Sequence, residues 1–242
     1  MPPELLEISG ISWMDDQRMA CVQDEAGSLF IYNLRTSRVE REIPFAGPGD
    51  YEAVSKAGDR FYVMRADGYI FELDPTAKNP VVQKMDIGWS GKHDIEAMSY
   101  DAAGKRLLLT DKMDDKGSMR RIYAFDLTSR QMSSSPVLEL DLGGAADDEK
   151  DSGKKGGKKK GGGHAMQPSA MATHPQTGDI YLTDGGESTL WVLDRTGKVK
   201  RFIKLNKDDF PQPEGLTISP KGEVYISSEG VKGDGVIARI SM

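Results

Sequence analysis

The segment Glu214-Gly215-Leu216-Thr217 has four counterparts earlier in the chain, and this repeat decides the fold. The counterparts are Ser9-Gly10-Ile11-Ser12, Glu52-Ala53-Val54-Ser55, Glu96-Ala97-Met98-Ser99 and Ser169-Ala170-Met171-Ala172. Each begins with Glu or Ser, continues with Gly or Ala and an apolar residue, and ends with a small residue. The steps between the segments are 43, 44, 73 and 45 residues. Regular spacing of this kind indicates a protein built from repeated structural units.

Each copy continues with turn residues and further runs that are typical of β-strands. Val224-Tyr225-Ile226 follows the turn Pro220-Lys221-Gly222, and Phe61-Tyr62-Val63 holds the same place in the second copy. A third and a fourth run follow, such as Leu190-Trp191-Val192-Leu193 and the segment 199–205. Four short strands in about 43 residues predict one blade of a β-propeller. We therefore expect an all-β, five-bladed β-propeller.

The last copy supplies only three strands before the chain stops at Met242. The segment 4–8 precedes the first inner strand, and we expect it to pair with the last blade as a strand that closes the ring. A six-bladed propeller is the alternative, but it requires a further copy that the sequence does not show.

Composition narrows the classes of partner and the number of domains. The 242 residues carry a formal net charge of -6, which weighs against a nucleic-acid partner. No apolar run approaches the roughly 18 residues needed to span a bilayer, and no signal peptide is visible. We expect one domain over residues 1–242, monomeric, with a flexible low-complexity insertion at about 143–166. The insertion joins an outer strand to the next inner strand, which places it as a flap beside the candidate site.

The candidate site is one mouth of the central channel. Inner strands begin at the mouth where second strands end, so residues at both positions converge. The first ring of residues holds Ser9, Glu52, Glu96, Ser169 and Glu214, with Asp50 and Asp94 two residues ahead of two of the glutamates. The second ring holds Asp24, Glu25, Arg65, Asp111, Lys112, Asp184 and Glu229.

Several carboxylates at one narrow mouth repel each other, and a bound cation or protonation relieves the repulsion. Oxygen ligands without a cluster of His or Cys favour Ca²⁺ or Mg²⁺ over Zn²⁺. The candidate metal ligands are Glu52, Glu96, Glu214, Asp111, Asp184 and Asp24. Two readings need no metal. The glutamates can accept hydrogen bonds from neighbouring blades, and Arg65 and Lys112 can neutralise part of the ring.

The motif sequences resemble those of the SdiA-regulated family of bacterial proteins. The resemblance rests on the segments 50–54, 94–98 and 212–216, and on the C-terminal run from Phe210 to Gly230. It implies a propeller fold, a divalent ion on the channel axis, and export with a periplasmic or outer-surface location, including attachment as a lipoprotein. It implies no agreed activity. Ala follows Glu52 and Glu96 where the family has Gly, and Ser169 replaces a carboxylate, which puts a complete acidic ring in doubt.

Two functions remain open at this point. The first is a non-catalytic binding or scaffold propeller that holds a divalent cation and presents its channel mouth to a protein or a small ligand. The alternative is a metal-dependent lactonase or esterase in which Ca²⁺ polarises a carbonyl and His93, beside Asp94, acts as the base. The absence of a histidine pair and of a recognisable nucleophile favours the binding function over the enzyme.

Overall fold

The computed structural model describes residues 1–78, 80–89, 94–111, 119–142, 166–230 and 233–242. Its strands form five separate antiparallel sheets, each built from consecutive strands of the chain. The expected insertion at about 143–166 lies outside the described residues except for its last residue, Met166, which is buried. No helix in these described ranges is long and apolar enough to cross a membrane.

Each sheet is one blade, and its first strand is the inner strand. The first blade contains β1 (Ile8–Asp15), β2 (Arg18–Gln23), β3 (Ser28–Asn33) and β4 (Arg38–Pro44). The second contains β5 (Tyr51–Ala57), β6 (Arg60–Arg65), β7 (Tyr69–Leu73) and β8 (Gln83–Asp86). The third contains β9 (Ile95–Asp101), β10 (Arg106–Asp111), β11 (Met119–Asp126), β12 (Gln131–Met132) and β13 (Leu138–Asp141). The last two strands of this blade both pair with β11.

The remaining two blades follow the insertion. The fourth contains β14 (Pro168–Thr173), β15 (Ile180–Asp184), β16 (Thr189–Leu193) and β17 (Val199–Lys204). The fifth contains β18 (Pro213–Ile218), β19 (Val224–Ser228) and β20 (Val236–Ile240). Each inner strand contacts the inner strand of the next blade, and β18 contacts β1, so the five-bladed ring is confirmed.

Five apolar clusters hold the ring together, one at each boundary between blades. Val22 and Phe71 belong to the cluster between the first and second blades, and Leu108 and Leu182 to the one between the third and fourth. Middle strands such as β15 and β16 are buried on both faces, whereas no residue of the outer strand β17 is buried. Apolar side chains on both faces of a middle strand therefore stabilise two boundaries at once.

The predicted closing strand at residues 4–8 is wrong in its conformation. Pro3–Leu5 form one turn of 3₁₀ helix, and the last sheet keeps only three strands. Proline has no backbone N–H for a strand ladder but fits the first turn of a helix. The turn still lies against the last blade, because the Met1 ammonium donates to the Gly235 carbonyl at 3.2 Å and the Gly230 N–H donates to the Leu6 carbonyl at 3.3 Å.

The closing contact is apolar as well. Leu5 is fully buried in a cluster that joins Ile8 and Ile11 of the first blade to Tyr225 and Ile237 of the fifth. The N-terminal segment thus closes the ring by packing rather than by strand pairing.

Candidate functional site

A β-bulge occurs at the same place in every inner strand. In β5, Tyr51 pairs with Arg65 and Ala53 with Met64, so Glu52 is the extra residue between them. The bulged residues of the other four blades are Ser9, Glu96, Ser169 and Glu214. A bulge bends the strand and redirects the extra side chain. The five residues predicted to form the first ring are therefore the five bulged residues of the propeller.

The two serines of this ring join blades through backbone carbonyls. The Ser9 hydroxyl donates to the Tyr51 carbonyl at 2.5 Å, and the Ser169 hydroxyl donates to the Pro213 carbonyl at 2.5 Å. In each case the acceptor belongs to the residue just before the bulge of the next blade. Both serines are buried, so these bonds are sheltered from water.

The three glutamates of the ring come from the second, third and fifth blades and interact at one mouth. Burial raises the pKa of Glu52 well above its usual range, the charge of Glu96 raises it further, and a hydrogen bond with Asp50 and the charge of Glu214 add to the shift. Glu96 is buried, whereas Glu52 and Glu214 are half-buried and Asp50 is exposed at the rim. The charges of Glu96 and Glu214 thus both act on the Glu52 carboxyl group.

Glu214 lies against the fourth blade. A Cβ added to Gly185 would be 3.0 Å from Glu214 Oε1 and 3.3 Å from Ser169 Cβ. The bare backbone of Gly185, at the turn after β15, therefore leaves the space in which this carboxylate lies.

A second group of carboxylates adjoins the first. Burial raises the pKa of Asp24, and the charges of Glu7, Glu25 and Asp50 raise it further. Burial also raises the pKa of Glu229, with contributions from Asp24 and Glu7. Asp50 contributes to the pKa shifts of both Glu52 and Asp24, so the two groups form one acidic mouth. We call this set of residues (Glu7, Asp24, Asp50, Glu52, Glu96, Glu214 and Glu229) the acidic mouth.

Two other predicted ligands have different surroundings. Asp184 accepts the Gln167 N–H with Oδ2 and the Glu187 N–H with Oδ1, both at 3.0 Å. Both of its oxygens therefore fix the backbone around the end of β15.

Asp111 is the last residue of β10, is buried, and lies opposite Ile95 beside the Glu96 bulge. His93, the candidate base, and Lys112 lie outside the described residues.

Three buried side-chain oxygens in the described part of the chain have no hydrogen-bond partner: Asp24 Oδ1, Thr110 Oγ1 and Ser227 Oγ. Thr110 pairs with Ala97 and Ser227 with Gly215, each directly after a bulged glutamate. The equivalent hydroxyl in the fourth blade, Thr183 Oγ1, has a neighbour within hydrogen-bond distance, the Oγ of the bulged Ser169 at 3.1 Å. One unpaired oxygen therefore belongs to the acidic mouth, and the other two lie on the strands next to its bulged residues Glu96 and Glu214. Buried polar groups are rarely left unpaired, so these atoms indicate room for water or an ion.

No group of three or more His, Cys, Asp or Glu side chains within the described ranges is arranged to enclose a metal ion directly. The donor set is nevertheless one of oxygens only, which suits a hard cation that keeps part of its water shell. The residues present therefore fit a hydrated cation better than one enclosed by protein ligands alone.

Sequence reasoning missed Glu7, Thr110 and Ser227. Glu7 precedes Ser9 by two residues, as Asp50 precedes Glu52 and Asp94 precedes Glu96, so the repeat itself could have identified it. Thr110 and Ser227 lie next to the last residue of a second strand, where a hydroxyl also recurs in the fourth blade. That recurrence is visible in the sequence, but the lack of partners is not.

The ring of five sheets around a channel, with bulged inner strands that open on one acidic mouth, defines the protein as a five-bladed β-propeller. The chain belongs to the SdiA-regulated family, whose model matches residues 5–231.

Solved structures of other proteins share the fold at low sequence identity. A glutaminyl cyclase from Myxococcus xanthus is similar with a TM-score of 0.64 and 12% identity over 97% of this chain and 92% of its own. A protein of unknown function from Bacteroides thetaiotaomicron is similar with a TM-score of 0.61 and 14% identity, over 91% of this chain and 52% of its own. Hydrazine synthase from Kuenenia stuttgartiensis is similar with a TM-score of 0.57 and 11% identity, over 100% of this chain and 97% of its own. At such identities the similarity shows the fold alone.

Proposed function

We propose that this protein is a non-catalytic binding propeller that takes a hydrated divalent cation, Ca²⁺ before Mg²⁺, at the acidic mouth. The observation that carries the proposal is that Asp24 Oδ1, in the acidic mouth, and Thr110 Oγ1 and Ser227 Oγ, on the strands next to its bulged glutamates, are buried without hydrogen-bond partners. A cation with bound water would supply partners to these oxygens and neutralise the carboxylates at the same time.

The choice of ion follows from the chemistry of the mouth. Its carboxylates come from bulges and loop ends of different blades, and such positions can adapt their distances to an ion. Ca²⁺ accepts six to eight oxygen ligands in flexible geometry, whereas Mg²⁺ demands near-ideal octahedral geometry. A bound cation at this rim would also offer open coordination positions to an acidic group on a partner protein or small ligand. Export to the periplasm or the cell surface, as a lipoprotein, belongs to the same proposal, because Ca²⁺ sites of modest affinity fill readily outside the cytosol.

Calorimetric unfolding tests the cation. The wild-type protein is heated in chelator and then in millimolar Ca²⁺ or Mg²⁺, beside the double variant Glu96→Gln, Glu214→Gln. A ligand present at ~100 times its dissociation constant stabilises the folded state by about 2.7 kcal/mol. We expect such a gain in the wild type, a smaller one with Mg²⁺, and none in the double variant.

The matched control is the double variant Glu4→Gln, Glu187→Gln, which removes two exposed carboxylates outside the acidic mouth. It should keep the gain in full. An equal gain in all three proteins, or none in the wild type, contradicts the cation proposal. A panel of lactones and aryl esters, assayed with and without Ca²⁺, tests the non-catalytic part, since turnover that depends on Ca²⁺ would make the protein a hydrolase.

A further inference from the structure

The channel has a cavity of about 270 Å³ at the end opposite the acidic mouth. Its walls are the later halves of the inner strands, including Ser12 of β1, Lys56 of β5 and Thr217 of β18. Glu52 and Lys56 are four residues apart on β5, which places them roughly 13 Å apart along the strand. This cavity, which we call the far cup, is therefore separate from the acidic mouth.

Two hydroxyl groups in the far cup have hydrogens to donate. Ser12 Oγ accepts the Lys56 N–H at 3.0 Å, and Thr217 Oγ1 accepts the Trp13 N–H at 3.0 Å. Neither hydroxyl donates to any other described group, although Ser12 is only 5% exposed and Thr217 only 8%. Since each oxygen is held by a backbone N–H, each O–H hydrogen is left for a ligand or for water.

The far cup has an excess of positive charge among its described residues. Lys56 is half-buried, and its ammonium has one acceptor among the described residues, the Met14 carbonyl at 3.3 Å. The one acidic residue among the described lining residues is Asp101, which accepts from Arg106 Nε at 2.9 Å and from the Ala103 N–H at 3.1 Å. The charge of Asp101 is therefore already paired with that of Arg106. The ammonium of Lys56 keeps two N–H groups that can donate to a ligand.

The Lys56 ammonium and the Ser12 and Thr217 hydroxyls all have hydrogens to donate, so the far cup suits a hydrogen-bond acceptor with negative charge. We propose that the far cup binds a small organic anion through a carboxylate or phosphate head that receives hydrogen bonds from Lys56, Ser12 and Thr217. The ammonium of Lys56 would repel a cation, and a neutral acceptor would gain a weaker hydrogen bond from it than an anion would. This proposal does not depend on a cation at the acidic mouth.

The size of the cup limits the ligand. A volume of about 270 Å³ equals that of roughly nine water molecules in the liquid, so a molecule as small as a dicarboxylic acid or a phosphorylated three-carbon compound fits. The walls also include apolar side chains such as Met14 and Leu216, which can cover the carbon chain of the ligand.

Amide NMR shifts test the proposal with two probes, inorganic phosphate and malonate. The amides of Trp13 and Lys56 are the reporters, because they donate to the two hydroxyls of the cup. We expect saturable shifts at both, and unchanged amides at Tyr51 and Ile95, which lie at the acidic mouth. The probe that saturates at the lower concentration identifies the preferred head.

Variants locate the charge that matters. Lys56→Gln should weaken binding about tenfold, which is typical of losing one charge-assisted hydrogen bond, and Lys56→Arg should keep most of it. Lys221→Gln is the matched control, since that ammonium is exposed on the loop beside the cup and pairs with Asp16 at 2.9 Å. Equal affinity in Lys56→Gln and wild type overturns the proposal.

The wild-type protein gives a second measurement that no folding defect can affect. Malonamide has the size of malonate but no charge, so it should not shift the two reporter amides. Equal shifts from malonamide and malonate, or no shift from either anion, would overturn the proposal.

Discussion

The hydroxyl of Ser169 donates a hydrogen bond of 2.5 Å to the carbonyl of Pro213, across the boundary between the fourth and fifth blades. The acceptor is the residue just before the bulge that redirects Glu214. One hydrogen bond thus joins two blades and fixes the backbone next to a carboxylate of the acidic mouth. Ser9 makes the equivalent bond to Tyr51, beside Glu52.

Ser169→Ala should lower the free energy of unfolding by about 1 to 2 kcal/mol, because the Pro213 carbonyl would lose its buried donor. Urea unfolding of the cation-free protein measures the change. Ser134→Ala, at an exposed position, should have no measurable effect, and equal losses in the two variants would show that the bond across the boundary contributes nothing.

Gly185→Ala should disturb the acidic mouth, because the new methyl group would be 3.0 Å from Glu214 Oε1. We expect the free energy of unfolding to fall by about 1 to 3 kcal/mol and the stabilisation by Ca²⁺ to be clearly smaller than in the wild type. The neighbouring change Gly186→Ala is the control, since its nearest contact, Asp184 Oδ1, is at an ordinary 3.6 Å. A full Ca²⁺ response in Gly185→Ala would mean that Glu214 does not take part in binding.

The raised pKa of Glu52 predicts how stability changes with pH in chelator. The folded protein holds a proton on this group over a range of pH in which the unfolded chain, with a pKa near its usual value, has lost it. The folded state therefore binds more protons, and stability falls as pH rises from about 5 toward 8. The slope of this one group is at most about 1.4 kcal/mol per pH unit.

Glu52→Gln should flatten that slope, because the amide stays neutral at every pH. Urea unfolding at several pH values compares the variant with wild type and with Glu4→Gln, which should keep the slope. A wild-type stability that rises over the same pH range would contradict the raised pKa.

Leu5→Ala should lower the free energy of unfolding, measured in urea, by about 2 to 4 kcal/mol, because this fully buried side chain fills the boundary between the fifth and first blades. Leu6→Ala is the matched control, since Leu6 is 40% exposed, and it should change stability by about 0.5 kcal/mol or less. Equal small effects would show that the 3₁₀ turn does not help to close the ring.

The sequence by itself determined the fold and identified the five repeat positions at which the inner strands bulge. The repeat beginning at Ser9, Glu52, Glu96, Ser169 and Glu214 is local in the chain, and short runs of β-branched, aromatic and other apolar residues mark the strands. Blade number, strand order and the residues at the bulges all follow from these short-range patterns.

Only the tertiary structure decided what those residues contact. Ser169 donates to Pro213 of the next blade, and Glu214 lies against Gly185 of the fourth blade. Asp184 is held by two backbone N–H groups that no motif marks. The 3₁₀ turn at Pro3–Leu5 and the unused donors of the far cup depend likewise on residues that meet only when the ring closes. Hydrogen-bond partners and burial are properties of the closed ring, whereas the repeat is a property of each blade alone.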